Sequence, residues 1–453
     1  MAASPSLMEP SSDADKLSHE IFSILESKFL FGYDDPNLFL SSYSPDGLRK
    51  SPARPAKSLG KVRILSIDAS GDGLFAAASL THLESSIRRR FGDPAARIAD
   101  FFDVAAGSGS GGALAAMLFT RGPDGFPLFS AEEALCFLSK NGSQFAGGWK
   151  GLFGRIFRRS GRGLFRRIFG DSTLRDAVKP LLIPCYDLST GAPFLFSRAD
   201  AMETEAYDFL IKEICAASCT GNDILKMKSI DGRTRIAALG GGLAMANPTA
   251  AAITHVLHNK QEFPYAAGVE DLLVVSISGG DIPSAGSGAC ISSPARTKLL
   301  KIAENGMADT VRRCTLSSGF LQYWLQVDQA VAMAFSQNRT NNGNYVRVQA
   351  YGIHLQAPKA SKRSHSKNAM AIVDEILGKR SVESGLFHGK RLSTESVSEK
   401  LERFACELVE ERERRIKSPI PTVLLKQTTT PRISSATTVT SAAASNTTTT
   451  DSP

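Results

Sequence analysis

No apolar run among the 453 residues approaches the roughly 18 needed to cross a bilayer, which excludes a helical membrane span. The opening stretch, MAASPSLMEPSSDADK, lacks the basic-then-apolar pattern of a secretory signal, so an intracellular protein is expected. The seven cysteines (136, 185, 215, 219, 290, 314 and 406) are odd in number, scattered and without a CxxC spacing. Neither a disulfide framework nor a zinc site is indicated, and the thiols are expected to be reduced and mostly buried. His255 and His258 lie three apart, but no nearby carboxylate pair completes a metal set, so no metal or other cofactor is expected. Acidic residues are in deficit, 45 against 53 Lys and Arg, and the net charge of +8 invites an anionic partner: nucleic acid, a membrane surface or small anions. With 42% hydrophobic and 22% charged residues the chain has the composition of a folded protein with a substantial core.

Composition shifts at both ends. Residues 1–15 are small and polar, and the last 27, from Gln427, hold ten Thr and five Ser. Both ends are expected to be disordered. Residues 16–46 carry Leu17, Ile21, Ile24, Leu25 and Phe29 on one helical face, and 47–60 form a Pro-, Ser- and Lys-rich linker. The main body then alternates. An apolar run Val62 to Ile67 ends at the turn Asp68 to Gly73 and is followed by a helical pattern, Leu74 to Arg90. The run Phe101 to Ala106 leads through a Gly/Ser turn to a strong helix former, Ala113 to Phe119. Further strands are expected at Pro180 to Pro184, Ile236 to Leu239, Leu272 to Ser278 and Tyr345 to Gln349. Such alternation predicts an α/β fold with a mainly parallel sheet covered on both faces, its ligand site where glycine-rich turns leave the strand ends. The charged pattern Val397 to Arg415, with Glu and Arg/Lys three and four apart, reads as a solvated surface helix.

The turn Gly107-Ser108-Gly109-Ser110-Gly111-Gly112 has the outline of a nucleophile elbow, the sharp strand-to-helix bend of serine acyl hydrolases. Such enzymes have Ser at the centre of G-x-S-x-G. Here the centre is Gly109, and the motif occurs nowhere else in the chain. Glycine suits the strained apex but removes the nucleophilic oxygen. Gly107, Gly109 and Gly112 also satisfy the dinucleotide fingerprint, yet the acidic residue required about 20 positions on would be Glu132 or Glu133, which opens a helix.

Around this elbow the chain resembles the patatin-like lipid acyl hydrolases, in particular a plant subgroup whose elbow reads G-x-G-x-G. The resemblance runs from DKLSHEIFSILESKFLFGYDD through LLIPCYDLSTGAPFLFSRADA and NPTAAAITHVLHNKQEFPY to SPIPTVLLKQ. It implies a three-layer α/β/α fold and hydrolysis of acyl esters of membrane glycerolipids, phospholipids and galactolipids, by a Ser-Asp dyad. In active members a D-G-G-G-x-R-G loop forms the oxyanion hole. That loop falls on Asp68, Ala69, Ser70 and Gly71 through Leu74, where Asp68 and Gly71 match and the other motif residues do not. Asp72 adds a carboxylate beside the loop, which would oppose an anionic intermediate if it pointed inward. The nucleophile falls on Gly109, flanked by Gly107, Ser108, Ser110 and Gly111, and the acid/base on Gly240, so neither dyad side chain is present. Losing one such member leaves only about 10³ to 10⁴ of acceleration over water. Two functions stay open at this point: a hydrolase with weak or unconventional chemistry, and a catalytically inactive lipid-binding or regulatory protein.

Residues 149–169, WKGLFGRIFRRSGRGLFRRIF, contain one Lys, six Arg and no acid. They form a repeat, Leu152 to Phe157 and Leu164 to Phe169, whose apolar members cover roughly 140° of a helix. Arg155, Arg158, Arg159, Arg162, Arg166 and Arg167 are the expected contacts to anionic membrane, with burial of Phe and Leu against the core as the competing reading. Nucleic-acid binding is not expected, because no recognised binding motif accompanies this patch. The layout is therefore a patatin-like core at 61–258 with the basic insertion 149–169, a continuation of the α/β domain at 259–355, a basic and helical segment at 356–426 and the tail 427–453. A cytoplasmic, peripherally membrane-associated protein is expected.

Overall fold

The computed structural model describes residues 60–69, 72–145, 163–219, 224–240, 245, 247–278, 343–349, 377–385 and 389–426, with a few shorter pieces between 310 and 375. The expected helical extension, nearly all of the linker, the first half of the basic repeat and the Ser/Thr-rich tail lie outside the described residues.

Eight strands form one sheet. β1 (Val62–Ala69) pairs in parallel with β2 (Val104–Gly109) on one side and with β7 (Leu272–Ser278) on the other. β2 pairs in parallel with β3 (Leu181–Asp187), and β8 (Tyr345–Val348) pairs in parallel with β7. Three antiparallel strands complete the sheet: β4 (Ala192–Ser197) on β3, and β5 (Leu225–Lys228) and β6 (Arg235–Leu239), with β6 also on β3. Strands β7 and β8, from the continuation segment, thus belong to the same sheet as β1. The sheet is mostly parallel, as the alternating pattern predicts. β6 covers the expected run Ile236 to Leu239, whereas β4 and β5 are additions that the apolar runs do not mark, because β4 opens on exposed residues and β5 is the alternating Leu-Lys-Met-Lys.

β1 and β7 are buried along their whole length, as expected of central strands covered on both faces. Alternation sends Leu65, Ile67, Leu273, Val275 and Ile277 to one core and Val62, Ile64, Leu272 and Val274 to the other. The larger core is closed by α1 (Leu74–Phe91), α2 (Ser110–Phe119), α3 (Ala131–Phe145), α4 (Ile211–Cys219) and α6 (Val397–Lys417), the smaller by α5 (Thr249–His258). The result is a three-layer α/β/α arrangement.

The C-terminal helix corrects one expectation. α6 is not a solvated surface element: Val397, Leu401, Phe404, Ala405 and Leu408 are fully buried and belong to the larger core. Their spacing of i, i+4, i+7, i+8, i+11 is a core stripe. Most of the charged residues that suggest solvation occupy the rest of the circumference, but Lys400 and Glu411 are buried, and Glu411 pairs with Arg415. Ser396 caps the helix, its hydroxyl accepting the Glu399 N–H at 3.2 Å while Glu399 accepts the Ser396 N–H at 2.7 Å. At the other end Arg415 enters the protein and donates to buried Asp103 at 2.7 and 2.9 Å.

Candidate active site

The elbow is present as a backbone. β2 ends at Gly109, whose φ of 60° and ψ of −135° turn the chain directly into α2 at Ser110. A positive φ here costs a glycine almost nothing and an L-residue substantially more. The flanking glycines are required by contact. A Cβ at Gly107 would lie 2.4 Å from the Gly111 carbonyl oxygen, and one at Gly111 would lie 2.4 Å from the Ile67 oxygen. α2 therefore sits against β1 and β2 at a distance that only glycine permits.

At the apex the absence of a side chain is matched by its surroundings. A Cβ on Gly109 would fall 2.4 Å from the carbonyl oxygen of Ala69, at the tip of β1. The niche of the nucleophile is filled by main chain. The same oxygen accepts the Ser110 hydroxyl at 3.1 Å. From α4, the Ser218 hydroxyl accepts the Gly109 N–H at 3.0 Å, and the Cys219 thiol donates to the Gly109 carbonyl at 3.2 Å. Ser108 and Ser110 flank the apex and both are buried, Ser110 already committed to Ala69. Neither replaces the missing hydroxyl in this arrangement.

In the oxyanion-loop region, Ser70 and Gly71 lie outside the described residues. Asp68 is held by Arg347 of β8, with Nη2 donating to Oδ2 at 2.8 Å and Nη1 to Oδ1. Asp72 accepts the Leu74 N–H at 3.1 Å, which ties its carboxylate to the start of α1. Burial raises its pKa above the ordinary carboxylate value, against the lowering effect of that bond.

Gly240, one residue past β6, is buried. β4 covers one edge of β3 from Leu182 to Asp187, so β2 and β6 must share the other edge. They do so head to head. β2 pairs with Leu181 and Leu182, β6 with Tyr186 and Asp187, and the two tips converge on the gap beside Ile183 to Cys185. The topology thus brings Gly109 and Gly240, on which the resemblance places the nucleophile and the acid/base, toward the same gap. Neither carries a functional side chain there.

The thiols around this gap are held in the protonated form. Burial, with a contribution from Asp187, pushes Cys185 up to about 12, burial alone does the same to Cys219, and Cys215 is raised well above its ordinary value. His255 is an ordinary packed histidine, edge-on to Phe263 and lowered by burial to about 4, and His258 contacts the Thr254 carbonyl at 2.9 Å. Among the described residues no group of three His, Cys, Asp or Glu could hold a metal ion, and no helix is long and apolar enough to cross a membrane.

In the basic repeat, Arg155, Arg158, Arg159 and Arg162 lie outside the described residues. The second half is helical over 163–169. Leu164, Phe165 and Phe169 are buried in the larger core, while Arg166 and Arg167 are exposed. This half caps the core with its apolar side and offers guanidiniums outward.

The strand-to-helix bend at Gly109 stands where the Gly/Ser pattern places it, whereas Ser218 and Arg347 belong to no motif and Cys219 enters the sequence reading only as one of the buried thiols. Only Arg347 left a signal, a charged residue inside the otherwise apolar strand Tyr-Val-Arg-Val.

Together, a mainly parallel α/β sheet and a sharp strand-to-helix turn with glycine at its apex give the chain the backbone outline of an α/β acyl hydrolase. The chain belongs to the patatin-like protein family. It is 47% identical to Patatin-like protein 3 of Oryza sativa subsp. indica over 417 residues, covering 90% of this chain and 93% of the relative. It is 45% identical to Patatin-like protein 7 of Arabidopsis thaliana, covering 93% and 86% of the two chains. It is also 39% identical to Probable inactive patatin-like protein 9 of Arabidopsis thaliana, covering 88% and 93%. No protein-family model matches the chain. Among solved structures, VipD from Legionella pneumophila matches with a TM-score of 0.28 and 9% identity over 70% of this chain and 67% of that one, too slight a likeness to carry an argument.

Proposed function

We propose that this chain binds acyl glycerolipids at a membrane surface and does not hydrolyse them through a nucleophile at the elbow. The observation that carries the reading is the Ala69 carbonyl, which occupies the space a nucleophile's Cβ needs at position 109. Gly240 removes the base as well. The glycine-centred elbow and the relative described as probably inactive support this reading, whereas the patatin-like subgroup it resembles, to which hydrolysis is attributed, favours the second reading below. Exposed Arg166 and Arg167, continued in sequence by four further arginines at 155–162, support peripheral docking on anionic membrane.

A second reading, acyl hydrolysis by unconventional chemistry, is favoured by the intact elbow backbone and by the relatives of 42–47% identity whose names carry no mention of inactivity. One experiment separates the two. The purified chain is incubated with phosphatidylcholine, phosphatidylglycerol and galactolipid vesicles, and both cosedimentation and released fatty acid are measured, with fluorophosphonate labelling in parallel. Binding without acyl release and without a labelled serine is expected. Sustained release, with Ser108 or Ser110 labelled, would establish the hydrolase instead.

A further inference from the structure

On the α5 face of the sheet the apolar pattern is interrupted by a row of polar side chains. Ser66, Ser276 and Arg347 stand in register across β1, β7 and β8, and Asp68 stands one row nearer the tip, opposite Ser278. All of them are largely buried: the side chains of Arg347 and Asp68 expose 11% and 7% of their surface. The row is stitched together from α5. Thr249 Oγ1 lies 2.8 Å from Ser66 Oγ, 2.9 Å from Ser276 Oγ and 2.6 Å from Asn247 Oδ1, and Arg347 donates to Ser276 Oγ at 2.5 Å. Arg347 thus reaches across the whole width of β7 to grip Asp68 with both terminal nitrogens.

Asp68 is followed by the residue whose carbonyl fills the elbow. The tip of β1 is also held by its ladder to β7, which ends at Asp68 opposite Ser278, by its ladder to β2, where Ala69 stands opposite Gly109 itself, and by the Ser110 hydroxyl. We infer that Arg347 is a positioning residue for the elbow: by clamping Asp68 it seats the Ala69 carbonyl over Gly109 and keeps the nucleophile's niche closed. The inference rests on the sealed-site reading above and extends it to a residue 279 positions away in sequence from the carboxylate it grips. A fork-shaped, two-point contact suits this task better than a point charge, because it fixes the direction of the strand tip as well as its distance.

The test is a double-mutant cycle on the full chain, read by thermal denaturation. Gly109→Ser alone must place a side chain at positive φ against a backbone oxygen, and a fall in Tm of about 5 °C or more is expected. With Arg347→Met already present the tip is free to withdraw, and Gly109→Ser should then cost less than half of that. Costs that simply add would overturn the inference. Hydrogen exchange provides a second measurement without any change at position 109. In Arg347→Met, or in Asp68→Asn if the former does not fold, the Gly109 and Ser110 amides should exchange at least tenfold faster, with Arg347→Lys intermediate and β7 and α6 unchanged. Uniform acceleration across the chain, or none at the elbow, also overturns it. Neither readout depends on lipid turnover, so acyl release by the parent chain would sink the sealed-site function while leaving this cycle to be judged on its own result.

Discussion

Replacing Arg415 by methionine should unfasten the C-terminal helix from the sheet, and the structure sets the size of the effect. Asp103, at the start of β2, is completely buried. It accepts the Arg63 backbone N–H at 2.8 Å, the Arg63 side chain at 3.0 and 3.3 Å, and Arg415 at 2.7 and 2.9 Å. Burial by itself would raise the carboxyl, but the two guanidiniums carry it well below the usual carboxylate range. Breaking a buried ion pair outright costs about 3–5 kcal/mol; Asp103 keeps Arg63 when Arg415 is removed, so about half of that, a fall in Tm of about 5 °C, is expected. The pH dependence fixes the sign. A carboxyl depressed in the folded state contributes stability above its unfolded pKa of about 4, and that contribution is lost as pH falls toward the folded value. In Arg415→Met the folded value rises, so the variant has less of this stability to lose and the gap between the two proteins narrows as pH falls from 5 to 3. Thermal denaturation followed by circular dichroism at pH 7, 5 and 3 measures both quantities. A shift below about 2 °C at pH 7, or a gap that widens in acid, would refute the assignment of Arg415 as the partner of Asp103. The double variant Asp103→Asn/Arg415→Met should lose less than the sum of the single losses, because the charge left stranded by either change alone is then gone.

Gly107→Ala should destabilise by about 3 kcal/mol in denaturant titration, because its Cβ meets the Gly111 carbonyl oxygen 2.4 Å away and α2 must lift from the sheet. Gly170→Ala, at φ 53° but with nothing within 4 Å, should cost only about 1 kcal/mol; equal costs would remove the close-packing explanation of the elbow glycines. Reversing Arg158, Arg159, Arg166 and Arg167 to Glu should weaken cosedimentation with phosphatidylglycerol vesicles at least tenfold, and added salt should weaken the parent's binding in the same direction. Unchanged binding would separate the repeat from membranes, whereas Leu164→Ala, at a core position, should lower Tm and leave binding intact.

The sequence was most readable where the fold is local. Strands β1 and β7 are long apolar runs and the turns after β1 and β2 are marked by glycine, so the parallel strands were legible in order but not in their bounds: Phe101, expected to open a strand, ends the helical turn Ile98–Phe101, and β2 runs Val104–Gly109. β4 and β5 were not, since a half-exposed antiparallel strand carries only a weak alternation of period two. α6 was misread because charge spacing and an apolar stripe coexist on a helix: Glu/Arg pairs report the exposed face and say nothing of Leu401, Phe404 and Leu408 on the other. At the site, the glycines on which the resemblance places the dyad, Gly109 and Gly240, could be read from two letters. The closure of the niche could not. It depends on the Ala69 carbonyl, a group every residue possesses, and on contacts from Ser218 and Arg347 that lie 109 and 279 positions from their partners.

That closure bears on how the elbow should be interpreted. Gly107 and Gly111 are demanded by the approach of α2 to the sheet whether or not chemistry occurs, so their presence is no sign of a working enzyme. Position 109 differs in kind. Its φ of 60° is a conformation in which serine would be strained, and serine there is worthwhile only where the oxygen is used. With glycine the strain disappears, and the Ala69 carbonyl lies where a Cβ would stand. Gly109→Ser with Gly240→Asp therefore sets a serine Cβ against a backbone oxygen, and on the proposed reading hydrolysis through that serine requires the β1 tip to move, most directly with glycine in place of Ala69 and Ser70.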